Sequence, residues 1–413
     1  MLKIFYGFDQ VLTLKPSKNF DVGLIEKGAV AVENGKISFV GKEKDIFSNP
    51  YFKKAKKIKL KGTAIPSFVD SHTHAVFAEA RLKDFSLRTS GHTYKEIKEK
   101  GGGIISSVTA LRRASAEDLK EKLLFWSKKF LENGTATAEI KSGYGLDNKN
   151  EIKILKTIKE TSKETCLEMV PTFLGAHSIP PEFKNSKDYL DYLIKKVLPQ
   201  IKKNKLAVFA DIFCEEGYFS PQESEYYLKE CLKAGLKPKI HAEQLKNYGG
   251  AGAAAAVNAV SADHMDYANL SDLKALAQSK TIVTFLPASN YFLGLSHFPD
   301  ARPFIEKGVK VALATDFNPG TSPCFNMQFV ISCAVTHMKM TVEQALFSSC
   351  LNGAAALGLE NKIGSLEKGK QADISVFEVK DYREIAYYFG SNLNIATVKK
   401  GNIIYEKNNT VRC

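Results

Sequence analysis

His72 and His74 stand one residue apart at the end of an apolar run, Pro66-Ser67-Phe68-Val69. Alternate residues of a strand face the same side. Two imidazoles on one face of a strand end can therefore grip one metal ion. A first-row metal held by histidines, with an open position, turns water into a nucleophile near neutral pH. H-x-H pairs also arise by chance. This chain, however, has only 8 histidines in 413 residues, and two of them fall in three positions.

Such a pair needs a scaffold that brings further ligands to it. Eight candidate buried strands alternate with amphipathic helices: Ala64 to Val69, Thr135 to Ile140, Cys166 to Phe173, Val208 to Cys214, Lys237 to Ala242, Val260 to His264, Thr281 to Leu286 and Lys310 to Thr315. Helical stretches such as Ala116 to Glu132, Glu151 to Glu160, Lys187 to Lys202 and Pro221 to Ala234 separate them. The pattern predicts a parallel (β/α)8 barrel, with an open doubly wound sheet as the alternative. No G-x-G-x-x-G follows the first strand, which weakens a dinucleotide reading. Short strands flank this region on both sides. Asn34-Gly35 marks a hairpin near the start, and Gly401 precedes another near the end. Residues 1–62 and 360–413 are thus expected to combine into one small β domain around a 63–359 barrel.

Barrel enzymes keep their chemistry where the strands end. The candidate strands close on His72 and His74, on Glu139-Ile140-Lys141-Ser142-Gly143-Tyr144, on His177, on Glu215, on His241, on His264 and on Asp316. Five of the eight histidines fall at these ends. His92 and His297 lie in expected loops and His337 in an expected helix.

Composition narrows the classes. Hydrophobic residues make up 44% and charged ones 25%, ordinary for a globular protein. No apolar run is long enough for a membrane span, and no signal-peptide pattern opens the chain. Seven scattered cysteines lack C-x-x-C spacing; a reducing cytoplasm is expected. The net charge of +13 could suit an anionic partner, but the lysines are spread in pairs and no nucleic-acid motif accompanies them. The densest cluster, Lys53 to Lys61, alternates into a strand and reads as a solvated edge. A basic field could still attract an anionic small substrate.

The strand-end residues carry a resemblance to the amidohydrolase superfamily: His72-Thr73-His74, His241, His264 and Asp316. Within it, the likeness is to members that open the cyclic amide of 4-imidazolone-5-propanoate in histidine breakdown. It runs nearly end to end. Its most particular stretches are Gly101-Gly102-Gly103-Ile104, Glu139-Ile140-Lys141-Ser142-Gly143-Tyr144-Gly145-Leu146, Phe173-Leu174-Gly175-Ala176-His177, His241-Ala242-Glu243-Gln244-Leu245 and Ala314-Thr315-Asp316-Phe317-Asn318-Pro319-Gly320. The resemblance implies a (β/α)8 TIM-like barrel of the amidohydrolase type with a small β-sandwich domain. It implies one divalent metal, zinc or iron, on His72, His74, His241 and Asp316. Many relatives bridge two metals with a carbamylated lysine on strand four. Strand four here has none, and Lys141, on strand two, reads as a supporting residue.

By the same resemblance, His264 is the general base or electrophile, and Asp316 also takes the proton of the attacking water. The product would be N-formimino-L-glutamate. Arg81 would pair with the substrate carboxylate, aided by Tyr144, His177 and Tyr94. Gln244, Asn318, Gly320 and Thr321 would line the site. Gln244 stands where some relatives carry glutamate. A homodimer is implied, with no nucleic-acid or membrane partner. Two other readings stay open: a single-metal deaminase of a nucleobase, and an inactive scaffold protein of the same fold.

Overall fold

Eight short strands pair in strict chain order, each parallel to the last: Phe68–Asp70, Thr135–Lys141, Glu168–Ala176, Phe209–Cys214, Lys237–Ala242, Ser261–His264, Ile282–Phe285 and Val311–Leu313. The computed structural model describes residues 1–407, 411 and 413, apart from the side chains of Tyr94, Lys95 and Lys98. The proposed tail-binding role of Tyr94 therefore lies outside the described residues. Strand one and the end of strand eight meet to close the ring. Asp316 N–H donates to His72 O at 3.1 Å, and His74 N–H donates to Phe317 O at 2.9 Å. The open-sheet alternative is thereby set aside. Strands buried on both faces read as apolar runs, which is why the sequence marks them.

Helices cover the barrel. Ala116–Glu132 starts at a Ser115/Asp118 capping box and Pro221–Lys233 at a Ser220/Glu223 box, each satisfying two backbone donors that would otherwise lack partners. The helix expected over Lys187 to Lys202 is a composite: Ser186–Tyr192, a wider π turn over Leu193–Val197, then Leu198–Asn204.

Two further sheets come from the chain ends. Leu2–Tyr6, Gly28–Glu33, Lys36–Lys42 and Lys56–Lys59 form a four-stranded sheet. Gln10–Leu12, Leu24–Glu26, Thr63–Pro66, Ile374–Phe377, Asn394–Lys399 and Asn402–Glu406 form a six-stranded one. Apolar side chains from both, among them Phe5, Val30, Ile374 and Val398, share one core cluster. Asn34 and Gly35 take positive φ, +50° and +78°, at the hairpin turn. The lysine-rich strand Lys56–Lys59 is an edge strand with its lysines exposed.

One element differs from expectation. The run from Ala64 to Val69 is two strands, not one. Thr63–Pro66 belongs to the six-stranded sheet, antiparallel to Ile374–Phe377; Phe68–Asp70 opens the barrel. The change of partner falls at Ser67, whose N–H donates to Asp373 O at 3.1 Å, while Phe68 N–H donates to Gly134 O at 3.0 Å. Pro66, without an N–H, fits the end of the first ladder.

Candidate active site

His72 and His74 emerge just past strand one, His241 lies near the end of strand five, and Asp316 follows strand eight. All four are buried. Nε2 of His74 lies 3.2 Å from Nε2 of His72 and 3.3 Å from Nε2 of His241. Asp316 Oδ1 lies 3.6 Å from His72 Nε2 and 3.5 Å from His74 Nε2. A tetrahedral ion with bonds of about 2.0–2.1 Å would set its ligands roughly 3.3–3.4 Å apart. Burial pushes all three imidazoles well below their usual pKa. Lys141 adds to this at His72 and His241, and His177 at His74. The rings are therefore neutral at pH 7, and their contacts with Asp316 are not ion pairs. Neutral nitrogens turned toward one another and toward a carboxylate oxygen are a donor set that a divalent cation fits.

The backbone around this cluster is strained. Asp316 and His264 take φ of +54° and +76°, sparsely populated values for residues with a Cβ. A carboxylate secures the seam beside them: Asp70 accepts from Thr315 N–H at 3.0 Å and from Thr315 Oγ1 at 2.6 Å. Asn318 completes the turn after Asp316. Its Nδ2 donates to Asp316 O at 2.6 Å and to Thr321 Oγ1 at 2.8 Å, while its Oδ1 accepts from Gly320 and Thr321 N–H. The side chain is thus engaged within its own loop.

Above the cluster lies a cavity of about 200 Å³. His264, His177, Tyr144 and Arg81 border it together with Gln244 and Thr321, and Phe213, Tyr218, Ile104 and Leu293 supply apolar wall. His264 stands with His72 and His241 in a group whose ligand atoms lie within 4.8 Å. Burial lowers its pKa to about 3, so the ring is neutral at pH 7. His177 stacks on His74 at 5.1 Å, and its Nδ1 lies 3.1 Å from Gly143 O. Arg81 Nε donates to Ser107 Oγ at 2.7 Å, and its guanidinium carbon lies 5.9 Å from the Tyr144 ring centroid. Among the described residues no carboxylate pairs with Arg81. Gly320 makes room for it, since a Cβ there would fall 2.2 Å from Arg81 Nη1.

A family model described as "Amidohydrolase family" matches residues 63–404. The chain belongs to the amidohydrolase family. This amidohydrolase is 39% identical to an imidazolonepropionase of Shouchella clausii, over 95% of this chain and 90% of that protein. It is 41% identical to one of Thermoanaerobacter pseudethanolicus (92% and 90%) and 40% identical to one of Shewanella oneidensis (96% and 97%). Among solved structures, the guanine deaminase of E. coli matches with a TM-score of 0.76 at 17% identity, covering 99% of this chain and 100% of that one. A zinc-bound adenosine deaminase from Xanthomonas campestris matches at 0.74 and 16% identity (99% and 94%). At such identities the deaminases share the fold alone. The family is metal-dependent, in keeping with the His–Asp cluster.

Several buried carboxylates support this amidohydrolase's site; of these the sequence reading marked Glu215 at a strand end, without its role. Glu215 accepts the N–H groups of Gln244 and Leu245 at 2.9 and 3.0 Å. Glu151 accepts those of Gly143, Gly145 and Leu146 at 3.1, 2.7 and 2.9 Å. Asp263 Oδ2 lies 2.7 Å from His72 Nδ1. Asp211 Oδ2 lies 3.0 Å from His241 Nδ1. Glu151 and Asp211 carried no signal in the sequence, and Asp263 only its adjacency to His264.

Proposed function

We propose that this chain hydrolyses the cyclic amide of 4-imidazolone-5-propanoate to N-formimino-L-glutamate. The observation that carries the reading is Arg81, a guanidinium without a carboxylate partner among the described residues, on the wall of a small cavity that has a His–Asp cluster at its base. A nucleobase offers Arg81 no carboxylate. The substrate's propionate does, and guanidinium pairs with it bidentately.

One divalent metal, zinc or iron, held by His72, His74, His241 and Asp316, would supply a nucleophilic water near pH 7 and polarise the ring carbonyl. Arg81 fixes the propionate, with Tyr144 and His177 beside it. The ring carbonyl is thereby turned toward the base of the cavity. Asp316 accepts the proton released by the attacking water, and neutral His264 serves the carbonyl oxygen as hydrogen-bond partner and proton carrier. The ring C–N bond then breaks, and the departing nitrogen takes up the proton. Gln244 is an amide, so it binds the ring by hydrogen bonds and does not carry protons. Gly320 shapes the seat of Arg81, and Asn318 and Thr321 hold the Asp316 turn.

The assembly is proposed to be a homodimer in the cytoplasm. No helix among the described residues is long and apolar enough to cross a membrane. The test of function is to generate imidazolone propionate enzymatically and follow its loss in ultraviolet absorbance beside a panel of nucleobases. Deamination of a nucleobase with the imidazolone untouched would overturn the assignment.

A further inference from the structure

Beneath the His–Asp cluster the barrel holds five charged side chains that the proposed chemistry does not use. Glu139 and Lys141 come from strand two, Asp211 from strand four, Lys239 from strand five and Asp263 from strand six; all are fully buried. Lys141 Nζ lies 2.6 Å from Asp211, 3.1 Å from Glu139 and 3.5 Å from Asp263. Lys239 Nζ lies 2.6 Å from Glu139, 2.9 Å from Ser71 O and 3.7 Å from Asp263. Glu139 also accepts from Thr172 Oγ1 at 2.5 Å.

Burying so many charges is justified only if they are mutually compensated and serve something above them. Two ammonium groups against three carboxylates leave a single negative charge. The carboxylate nearest the cluster is Asp263. Its Oδ2 lies 2.7 Å from His72 Nδ1, while His72 Nε2 faces His74 and Asp316. A neutral imidazole has one N–H. A carboxylate at Nδ1 claims that proton, which leaves Nε2 with its lone pair aimed into the cluster.

We propose that Asp263, whose Oδ2 lies 2.7 Å from His72 Nδ1, is the positioning residue that locks His72 in the Nδ1–H tautomer and so presets the metal site. The inference rests on the reading of His72 as a metal ligand. Carboxylates behind metal-bound histidines raise ligand basicity, and losing one typically weakens metal binding about 10–100-fold. Lys141 and Lys239, at 3.5 and 3.7 Å from Asp263 Oδ2, compensate the buried carboxylate.

The test uses the full chain stripped of metal, with Zn2+ as the probe and a chromophoric chelator as competitor. Asp263→Asn should raise the Zn2+ dissociation constant roughly 10–100-fold. The double variant Asp263→Asn/Lys141→Met keeps the charge balance of the group and guards against a single variant that fails to fold. It should bind Zn2+ as weakly as the single variant. Recovery of wild-type affinity in the double variant would mean that Asp263 only balances charge, and would overturn the inference. A measurement on the wild type needs no variant: the ¹⁵N shifts of His72 in the metal-free protein should report the Nδ1–H tautomer. The Nε2–H tautomer would also overturn it. A wild-type chain that binds no Zn2+ would instead sink the metal assignment, and this inference with it.

Discussion

Arg81 and Gly320 are one feature seen from two residues. The guanidinium reaches its position because position 320 has no side chain; a Cβ there would lie 2.2 Å from Nη1. Arg81→Ala should raise KM for the imidazolone about 10- to 100-fold, the equivalent of losing a charge-assisted pair, with kcat changed far less. Gly320→Ala should move KM the same way by displacing Arg81. An unchanged KM in both would remove the propionate from this wall of the cavity. His264 belongs to the chemical step. His264→Ala should lower kcat by roughly 10²–10⁴, and a near-native kcat would reassign the proton transfer to Asp316 alone.

Strands set the cluster, but the loops that follow them set the cavity, and buried glutamates hold those loops. Glu151, in the first turn of Asn148–Thr161, accepts three consecutive-loop N–H groups between Gly143 and Leu146. That loop carries Tyr144, and its Gly143 carbonyl meets His177 Nδ1. In Glu151→Gln an NH2 group would face N–H donors. Stability should fall by about 1–3 kcal/mol, read from the urea midpoint, and KM should rise several-fold. A rise in neither would detach the loop from binding. Loop holders of this kind are invisible to sequence reading, because a glutamate in a helix's first turn reads as an ordinary dipole partner. Strand ends are legible: an apolar run followed by histidine or aspartate needs no knowledge of what packs beside it. Lys239 is not, since a lysine in a strand normally marks a solvated position, and here its carboxylate partners Glu139 and Asp263 come from other strands; Lys141 reads from the sequence as a supporting residue, but its partners Asp211 and Asp263 on other strands do not. The split at Ser67 is hidden for the same reason. Thr63 to Asp70 is uniformly buried, and only its partners, which are distant in sequence, decide where one sheet ends and the next begins.

At the scale of the whole molecule, the barrel and the chain-end sheets must stay in register for Phe68–Asp70 to leave one and enter the other. An ionic link helps to hold them. Glu168, which opens barrel strand three, lies 3.0 Å from Lys399 Nζ of the six-stranded sheet and 2.6 Å from Lys362 Nζ. Lys399 Nζ also donates to Asp373 at 2.9 Å and to Thr137 of barrel strand two at 3.2 Å. Burial alone would raise the Glu168 pKa, but Lys399 and Lys362 outweigh it and bring it down to about 2. A folded pKa below the unfolded value means that the carboxylate stabilises the fold at pH values above the ordinary glutamate range. That contribution shrinks as pH falls from about 4.5 and is gone below about 2. The side chain is 22% exposed, so screening is modest and the contribution at pH 7 is about 1–3 kcal/mol. Glu168→Gln should therefore lower the denaturant midpoint at pH 7, and the gap to wild type should narrow at pH 4 and again at pH 3. A gap of constant size across that range would assign the loss to packing at the junction instead of charge.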